Sequence, residues 1–494
     1  MAPLEVINGG AVGNGGAMDG HTNGAYTNGH TNGANGAANG VSNGTHDATV
    51  PDEEEEEHEM FPEDMNLRVM GIGVEYPPHK VVPKDLETIA QKHYPQTESI
   101  KKVLSINRFT GIEARRSVGE CMHPIANQEA APKIDQLHEL FMEHGVSLAT
   151  SACSKAIQDA GYTPSAITHT VFTTCTDSAN PGYDIFVLKN LGVKNTVEKV
   201  LLHGVGCSGG LAGLRTACNI ALGAKARGRR ARVLVCATEI CTVLVRSELD
   251  SILAENNIRI GITLFSDCSG AAVVSNGVGE DWSKSGKGVY GILGWKHDTV
   301  EKTEKDIGFD IDPLGWKVIL TPRVPKLTSE VTPTIYKSLF SSISPSVLSS
   351  LSPSNSSLKP EDLDWALHPG GSLILTGVSE KMNISVSNLR SSFEVYTNFG
   401  NSSSATIFSV MDRLRSDTEA GIAGEGPTYG PGFGIKGGRK GVLGCAFGPG
   451  VSIEMMLMKR VEPNGDKLDG VLENGVVEIT NGVHEVQVGG EELD

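Results

Sequence analysis

A cysteine set among glycines carries the first chemical suggestion in this sequence. In residues 200–240, VLLHGVGCSGGLAGLRTACNIALGAKARGRRARVLVCATEI, an apolar run leads into Gly204-Val205-Gly206-Cys207-Ser208-Gly209-Gly210 and then into a helix of small residues, Gly209–Ala226. Cys207 is thereby placed at a tight turn beside a helix N-terminus. Unpaired backbone N–H groups and the macrodipole favour a thiolate there, so a lowered thiol pKa is expected. Such a thiolate is a nucleophile toward acyl groups, and its small neighbours leave an acyl group room to approach.

The same turn fits three other readings. Gly204, Gly206 and Gly209 spell a dinucleotide fingerprint, but the ribose-binding acid expected about 20 residues further on is missing. The chain is basic around Lys225–Arg230, and Glu239 comes only about 30 residues after Gly209. Gly206, Ser208 and Gly210 spell a hydrolase elbow with Ser208 as nucleophile. Cys207 is otherwise just a small residue in a packed turn. A second GxGxxG at Gly432, Gly434 and Gly437 lies in a Gly/Pro loop with no strand before it, and is read as coincidence.

Two downstream segments bear on the choice. Trp365-Ala366-Leu367-His368-Pro369-Gly370-Gly371 puts a histidine at the end of an apolar strand, a place where a lone histidine is more often structural. Asn398-Phe399-Gly400-Asn401-Ser402-Ser403-Ser404-Ala405 is a polar turn entering a helix, Ala405–Leu414, and taken alone is an ordinary cap. In this order and spacing, the three motifs resemble the chalcone-synthase-like type III polyketide synthases of the thiolase superfamily, and within them the fungal members that make alkylresorcylic acids, alkylresorcinols and alkylpyrones. The resemblance covers residues 65–460. It rests on Cys207 in GVGCSGG, His368 in ALHPGG, Asn401 in NFGNSSSA and the glycine signature AFGPG at Ala446–Gly450, with Phe265 on the family's gatekeeper phenylalanine. Where the family reads FGDG, this chain has Phe265-Ser266-Asp267-Cys268, a departure expected to change local packing rather than chemistry.

The resemblance implies a five-layered αβαβα thiolase fold of two similar halves, working as a homodimer. It implies a malonyl-CoA-dependent acyltransferase that carries out iterative decarboxylative condensation onto an acyl-CoA starter, with Cys207, His368 and Asn401 as catalytic residues and no metal or redox cofactor. Cys207 would take the acyl group, His368 would hold the thiolate as an ion pair, and His368 with Asn401 would stabilise the enolate left when malonyl-CoA loses carbon dioxide. Phe265 would divide the CoA tunnel from the reaction chamber. The basic segment Ser99–Arg108 matches loosely the family's phosphate-binding stretch, which makes Lys101, Lys102 and Arg108 candidates for CoA; a solvated helix face fits them equally well. Leu244 stands where plant relatives carry a pocket threonine, and Cys175 replaces a serine. Both changes make the chamber more apolar and favour a fatty acyl starter. Three competing functions are a ketoacyl synthase III performing a single condensation, a Ser208 hydrolase and a non-catalytic acyl-CoA-binding module.

The elements that must position these residues alternate along the chain. Apolar β-rich runs at Thr170–Thr174, Val200–Val205, Arg232–Ala237 and Ala271–Val274 are separated by amphipathic stretches. A second set follows at Tyr290–Leu293, Trp365–Leu367, Gly441–Phe447 and Val451–Met458. This is an α/β pattern occurring twice. It divides the chain into a half with the cysteine, 65–284, and a half with the histidine and asparagine, 285–460. Residues 1–60 repeat Asn-Gly eight times and end in glutamates, too polar to offset their ordering entropy, and 461–494 form a second acidic tail. The serine-rich Ser341–Ser357 and the glycine-rich Gly421–Gly441 read as surface loops.

Charge follows the same division. The net charge of −17 resides in the tails: residues 1–64 hold twelve acids and no Lys or Arg, and the last 34 residues hold nine acids against Lys467. The middle is mildly basic, suited to anionic small molecules, without the Lys/Arg clustering that nucleic acid requires. Nine cysteines without a CxxC pair argue against a disulfide framework or zinc site and for a reducing compartment. No signal peptide and no apolar stretch of membrane-spanning length is present, so a cytoplasmic location is expected.

Overall fold

The computed structural model describes residues 60–63, 65–282, 287–353, 357–416 and 438–461. The tails before and beyond these bounds, most of the glycine-rich stretch and the second GxGxxG lie outside the described residues.

Among the described residues thirteen strands form, in chain order: β1 Leu67–Glu75, β2 His79–Val81, β3 Arg115–Ser117, β4 His169–Thr173, β5 Glu198–Leu202, β6 Arg232–Ile240, β7 Asp267–Ser275, β8 Tyr290–Thr299, β9 Ile307–Asp312, β10 Gly315–Leu320, β11 Leu363–Leu367, β12 Gly441–Gly448 and β13 Ser452–Arg460. Nine of them make one mixed sheet in the order β11-β12-β13-β8-β1-β7-β6-β4-β5. Outward from β1 the neighbours run antiparallel, antiparallel, parallel and parallel; outward from β8 they run antiparallel, antiparallel and parallel. The repeated direction pattern is that of two similar halves, joined by a short antiparallel pairing of Leu67–Val69 with Tyr290–Ile292.

Both faces of this sheet are covered, so strands such as β7 and β12 are buried at every position rather than at alternate ones. On β12, Val442 and Ala446 face one way, into a core built with the helices Gly209–Ala226 and Thr406–Ser416. Leu443, Cys445 and Phe447 face the other way, against the helices Val324–Ser341 and Ser372–Met382. In the first half, Phe172, Leu234, Cys236, Ala271 and Val273 face the helix Val146–Asp159. The layers are therefore outer helices, first-half strands, two central helices, second-half strands and outer helices: the five-layered αβαβα fold. No helix among the described residues is long and apolar enough to cross a membrane.

Glycine permits the closest approaches. A Cβ on Gly210 would lie 2.4 Å from Ile407 Cγ2 and 2.5 Å from the Ser404 carbonyl oxygen, which accounts for the small residues at the start of the central helix. On β1, a Cβ on Gly73 would lie 2.2 Å from the Ala152 carbonyl oxygen and 2.5 Å from the Ala156 nitrogen. These backbone atoms cannot rotate away. Gly73→Ala is therefore expected to lower stability by about 3 kcal/mol, the upper end of ordinary overpacking penalties. Denaturant unfolding measures this, and a loss under about 1 kcal/mol would mean that the helix shifts freely on the strand.

One loop expectation needs correction. Within Ser341–Ser357 lies the helix Pro345–Leu351, which starts with Ser344 followed by proline at its first position and buries Leu351 in the second-half core. Serine content obscured a short helix anchored by its apolar residues.

Candidate active site

Three turns, two of them after strands and one between the helices Arg390–Phe399 and Thr406–Ser416, bring the candidate residues together. Residues Gly206–Ser208 form a 3₁₀ turn that runs directly into the helix Gly209–Ala226, with Gly206 at φ +44°. His368 follows the last residue of β11, its N–H donating to the Cys445 carbonyl at 2.8 Å. Asn401 lies between Gly400 at φ +73° and Ser403 at φ +47°, and is locked at both ends of its backbone: its N–H donates to Leu264 O at 3.0 Å, and Ser266 N–H donates to its carbonyl at 2.9 Å.

The contacts among these turns define the pocket. Ser403 Oγ donates to Cys207 Sγ at 3.4 Å, and the Asn401 side chain is near enough to favour the thiolate. The Asn401 amide nitrogen donates to Gly370 O at 3.4 Å, two residues beyond His368, while its Oδ1 accepts from Ser403 N–H at 2.8 Å. Phe265 forms a bridge with Asn401 and packs with Cys241 and Val318 against Cys207. His368 is buried, and neither ring nitrogen has a hydrogen-bond partner among the described residues. A buried, unpaired imidazole is rare enough to require an explanation, and an absent reactant is the natural one.

The electrostatics differ from the expectation for Cys207. Desolvation pushes its thiol up to about 11, outweighing the Ser403 and Asn401 donors and the turn's own backbone N–H. Desolvation likewise pushes His368 down to about 3. The helix N-terminus is present, but removal of water from the sulfur has the larger effect.

Ser208 does not serve as a hydrolase nucleophile in this arrangement. It is buried, and its hydroxyl donates to the Val205 carbonyl at 2.7 Å, with Ser452 Oγ at 3.4 Å. Glu239 is no ribose ligand either: it is buried beneath the site, accepting from Thr176 Oγ1 at 2.9 Å, from Cys175 N–H at 3.1 Å and from the Ser404 hydroxyl.

The remaining candidates fall at different distances from the sulfur. Cys175 is adjacent, with its Sγ 3.4 Å from Ser403 Oγ. Leu244 packs against Leu137 and Trp316 and lines a pocket together with Phe265, Cys241, Leu86, Ile89 and Val318. Lys101, Lys102 and Arg108 lie on the exposed side of the helix Glu98–Arg108, whose buried side packs on Ile262, three residues before Phe265. Lys101 pairs with Glu98 at 2.9 Å and Arg108 with Glu87 at 2.6 Å. These cations flank the gatekeeper's element without touching the catalytic turns.

Several site residues had no signal in the sequence. Phe309, on β9, stands edge-on to Phe265 with ring centroids 6.2 Å apart, and Val318 comes from β10. The Phe265-Ser266-Asp267-Cys268 departure is absorbed locally. Ser266 Oγ lies 3.1 Å from Ser402 Oγ, and Asp267, pushed up to about 6 by burial, accepts from Thr242 Oγ1 at 2.6 Å and Val118 N–H at 2.9 Å.

Residues 69–278 match the N-terminal domain of the chalcone and stilbene synthases, and residues 297–462 match their C-terminal domain. The chain is 36% identical over 408 residues to the type III polyketide synthase pspB of Penicillium soppii, covering 81% of this chain and 98% of that protein. It is 36% identical over 356 residues to the acylalkylpyrone synthase csyB of Aspergillus oryzae, covering 72% and 88%. Among solved structures it superposes on the fungal type III polyketide synthase ORAS with a TM-score of 0.73 and 47% identity, over 80% of this chain and all of that one. CsyB complexed with CoA-SH superposes with a TM-score of 0.72 and 34% identity over the same shares.

Proposed function

The chain belongs to the chalcone and stilbene synthase family and is a type III polyketide synthase; from that premise we propose that it extends a long-chain fatty acyl-CoA starter with malonyl-CoA units to give alkylresorcylic acid, alkylresorcinol or alkylpyrone products. Cys207 takes the acyl group from CoA as a thioester. His368 accepts the thiol proton on a ring nitrogen that no other group occupies. When malonyl-CoA loses carbon dioxide, the His368 N–H and the Asn401 amide donate to the enolate oxygen, and the enolate carbon attacks the acyl-Cys207 carbonyl. The lengthened chain leaves on CoA, reloads on Cys207 and is extended again. Phe265 and Phe309 keep water from the reacting carbon.

The observation that carries the starter assignment is the lining of the pocket beyond Phe265. Cys241, Leu244, Val245, Leu86, Ile89, Ile262 and Val318 present apolar walls; of the three charged residues beside them, Glu120 is exposed and faces His79 at 3.5 Å, and the other two are engaged elsewhere. Arg115 donates to the Ile262 carbonyl, and Glu248 pairs with Arg259 at 2.9 Å. An alkyl chain loses nothing by entering such a space, whose two hydroxyls, on Ser117 and Thr242, are already paired with each other at 2.9 Å. The activity for which csyB is named, acylalkylpyrone synthesis, supports the same product class.

The test is mass spectrometry of products from purified enzyme, malonyl-CoA and a series of acyl-CoA starters, run for the wild type and for Leu244→Trp. Fatty starters should give the best turnover. The indole should shorten the preferred chain, with each excluded methylene lowering its relative kcat/KM by about fourfold, the equivalent of about 0.8 kcal/mol of burial. A folded variant with unchanged length preference would remove Leu244 from the acyl site. A wild type that prefers aromatic starters would overturn the assignment itself.

A further inference from the structure

The chemistry above uses one of the sulfurs at this site. Cys175, two residues beyond the end of β4, holds another. Its Sγ lies 3.4 Å from Ser403 Oγ, and the same hydroxyl lies 3.4 Å from Cys207 Sγ, so the sulfurs are no further apart than twice that distance. Both residues keep some solvent exposure, which admits a small oxidant. On its far side, the Cys175 thiol donates to Glu239 Oε2 at 3.4 Å. A thiol held between a carboxylate and a hydroxyl shared with a second sulfur is placed to give up its proton when that second sulfur becomes electrophilic.

We propose that Cys175 is a resolving thiol for Cys207: a hydroperoxide converts Cys207 to a sulfenic acid, and Cys175 then closes a disulfide with it. The proposal rests on the reading of Cys207 as the site's nucleophilic thiolate. In the first step the Cys207 thiolate attacks a peroxide oxygen, the O–O bond breaks and hydroxide leaves. In the second, Cys175 Sγ attacks Cys207 Sγ, the S–O bond breaks, and the departing hydroxyl takes up the proton released from Cys175 through Glu239 and leaves as water. The sum is two thiols and one hydrogen peroxide giving one disulfide and two waters. The disulfide blocks acyl loading and is reversed by a dithiol. Without a resolving thiol, the sulfenic acid goes on to sulfinic and sulfonic acids, which a dithiol does not reverse.

The experiment treats the full-length wild type and Cys175→Ser with a molar excess of hydrogen peroxide and then with dithiothreitol. Activity is scored against each protein's own untreated rate, and peptides are mapped before reduction. The wild type should lose activity and regain most of it, and its map should contain the Cys175 and Cys207 peptides joined, lighter than their combined mass by two hydrogens. Cys175→Ser should regain at least about fivefold less, with two or three oxygens on the Cys207 peptide. The proposal is overturned if the wild type shows no such joined peptide, if Cys207 joins a different cysteine, or if Cys175→Ser recovers as well as the wild type. Failure of the polyketide reading would show instead in the product assay, leaving the peptide map to judge the disulfide alone.

Discussion

Cys207→Ala is expected to abolish formation of the acyl-enzyme and to lower polyketide output by at least about 10⁴-fold, because removal of a covalent nucleophile leaves only binding and the enolate donors. Ser208→Ala is expected to keep most of the activity. Its hydroxyl is committed to the Val205 carbonyl at 2.7 Å inside the turn, so its removal should cost about 1 kcal/mol of stability and leave the sulfur in place. The two substitutions are adjacent in sequence and opposite in consequence, which separates thioester chemistry from a hydrolase elbow. The measurement is peptide mapping after incubation with a labelled acyl-CoA, together with product yield. Label on Ser208, or a Cys207→Ala variant that still elongates, would sink the assignment of the nucleophile.

The strand ends that carry the site were legible because their local patterns are strong. The turn at Gly204–Gly210 and the strand before His368 each mark the end of an apolar run, the polar turn at Asn401 marks the entry to a helix, and the helix Gly209–Ala226 has the bounds its pattern gives. The α/β alternation was legible for the same reason: β11 and β12 are buried on both faces and so contain no polar interruption except Asp364, which is paired with Arg390 at 2.6 Å. What escaped depends on contacts between residues far apart in the chain. Phe309 and Val318 reach Phe265 through the β9–β10 hairpin, and nothing in its local sequence distinguishes that hairpin from a surface ribbon. Ser403 is one serine of three, and only its positive φ aims it at both sulfurs. Glu239 was weighed as a ribose acid because sequence distance alone cannot reveal that a carboxylate is buried under Cys175. The thiol pKa was read with the wrong sign because a helix terminus is visible in sequence, whereas exclusion of water from a sulfur is not.

That reversal sets up the second large effect, which concerns His368. Burial opposes each charge when it stands alone: a thiolate on Cys207 against a thiol pushed up to about 11, and an imidazolium on His368 against a ring pushed down to about 3. Passing the proton from sulfur to imidazole makes both charges together, in a pocket where water no longer weakens their attraction and where Ser403 already donates to the sulfur. His368→Gln removes the proton acceptor and keeps a polar side chain. The sign follows directly, since a thiol pKa raised above the working pH leaves the sulfur protonated. In the variant, alkylation of Cys207 by iodoacetamide should climb about tenfold per pH unit from 7 toward 11, starting near a thiolate fraction of about 10⁻⁴. In the wild type, transfer of that proton to the imidazole is expected to make the rate nearly flat between pH 7 and 9 and to raise it above the variant's rate at pH 7 by up to about 10⁴-fold. Malonyl-CoA decarboxylation should fall by a further factor of about 10² to 10³ through loss of the imidazole N–H as an enolate donor. Parallel pH profiles in the two proteins would show that the imidazole does not hold the proton of Cys207. A flat profile in the variant would place that proton on another group.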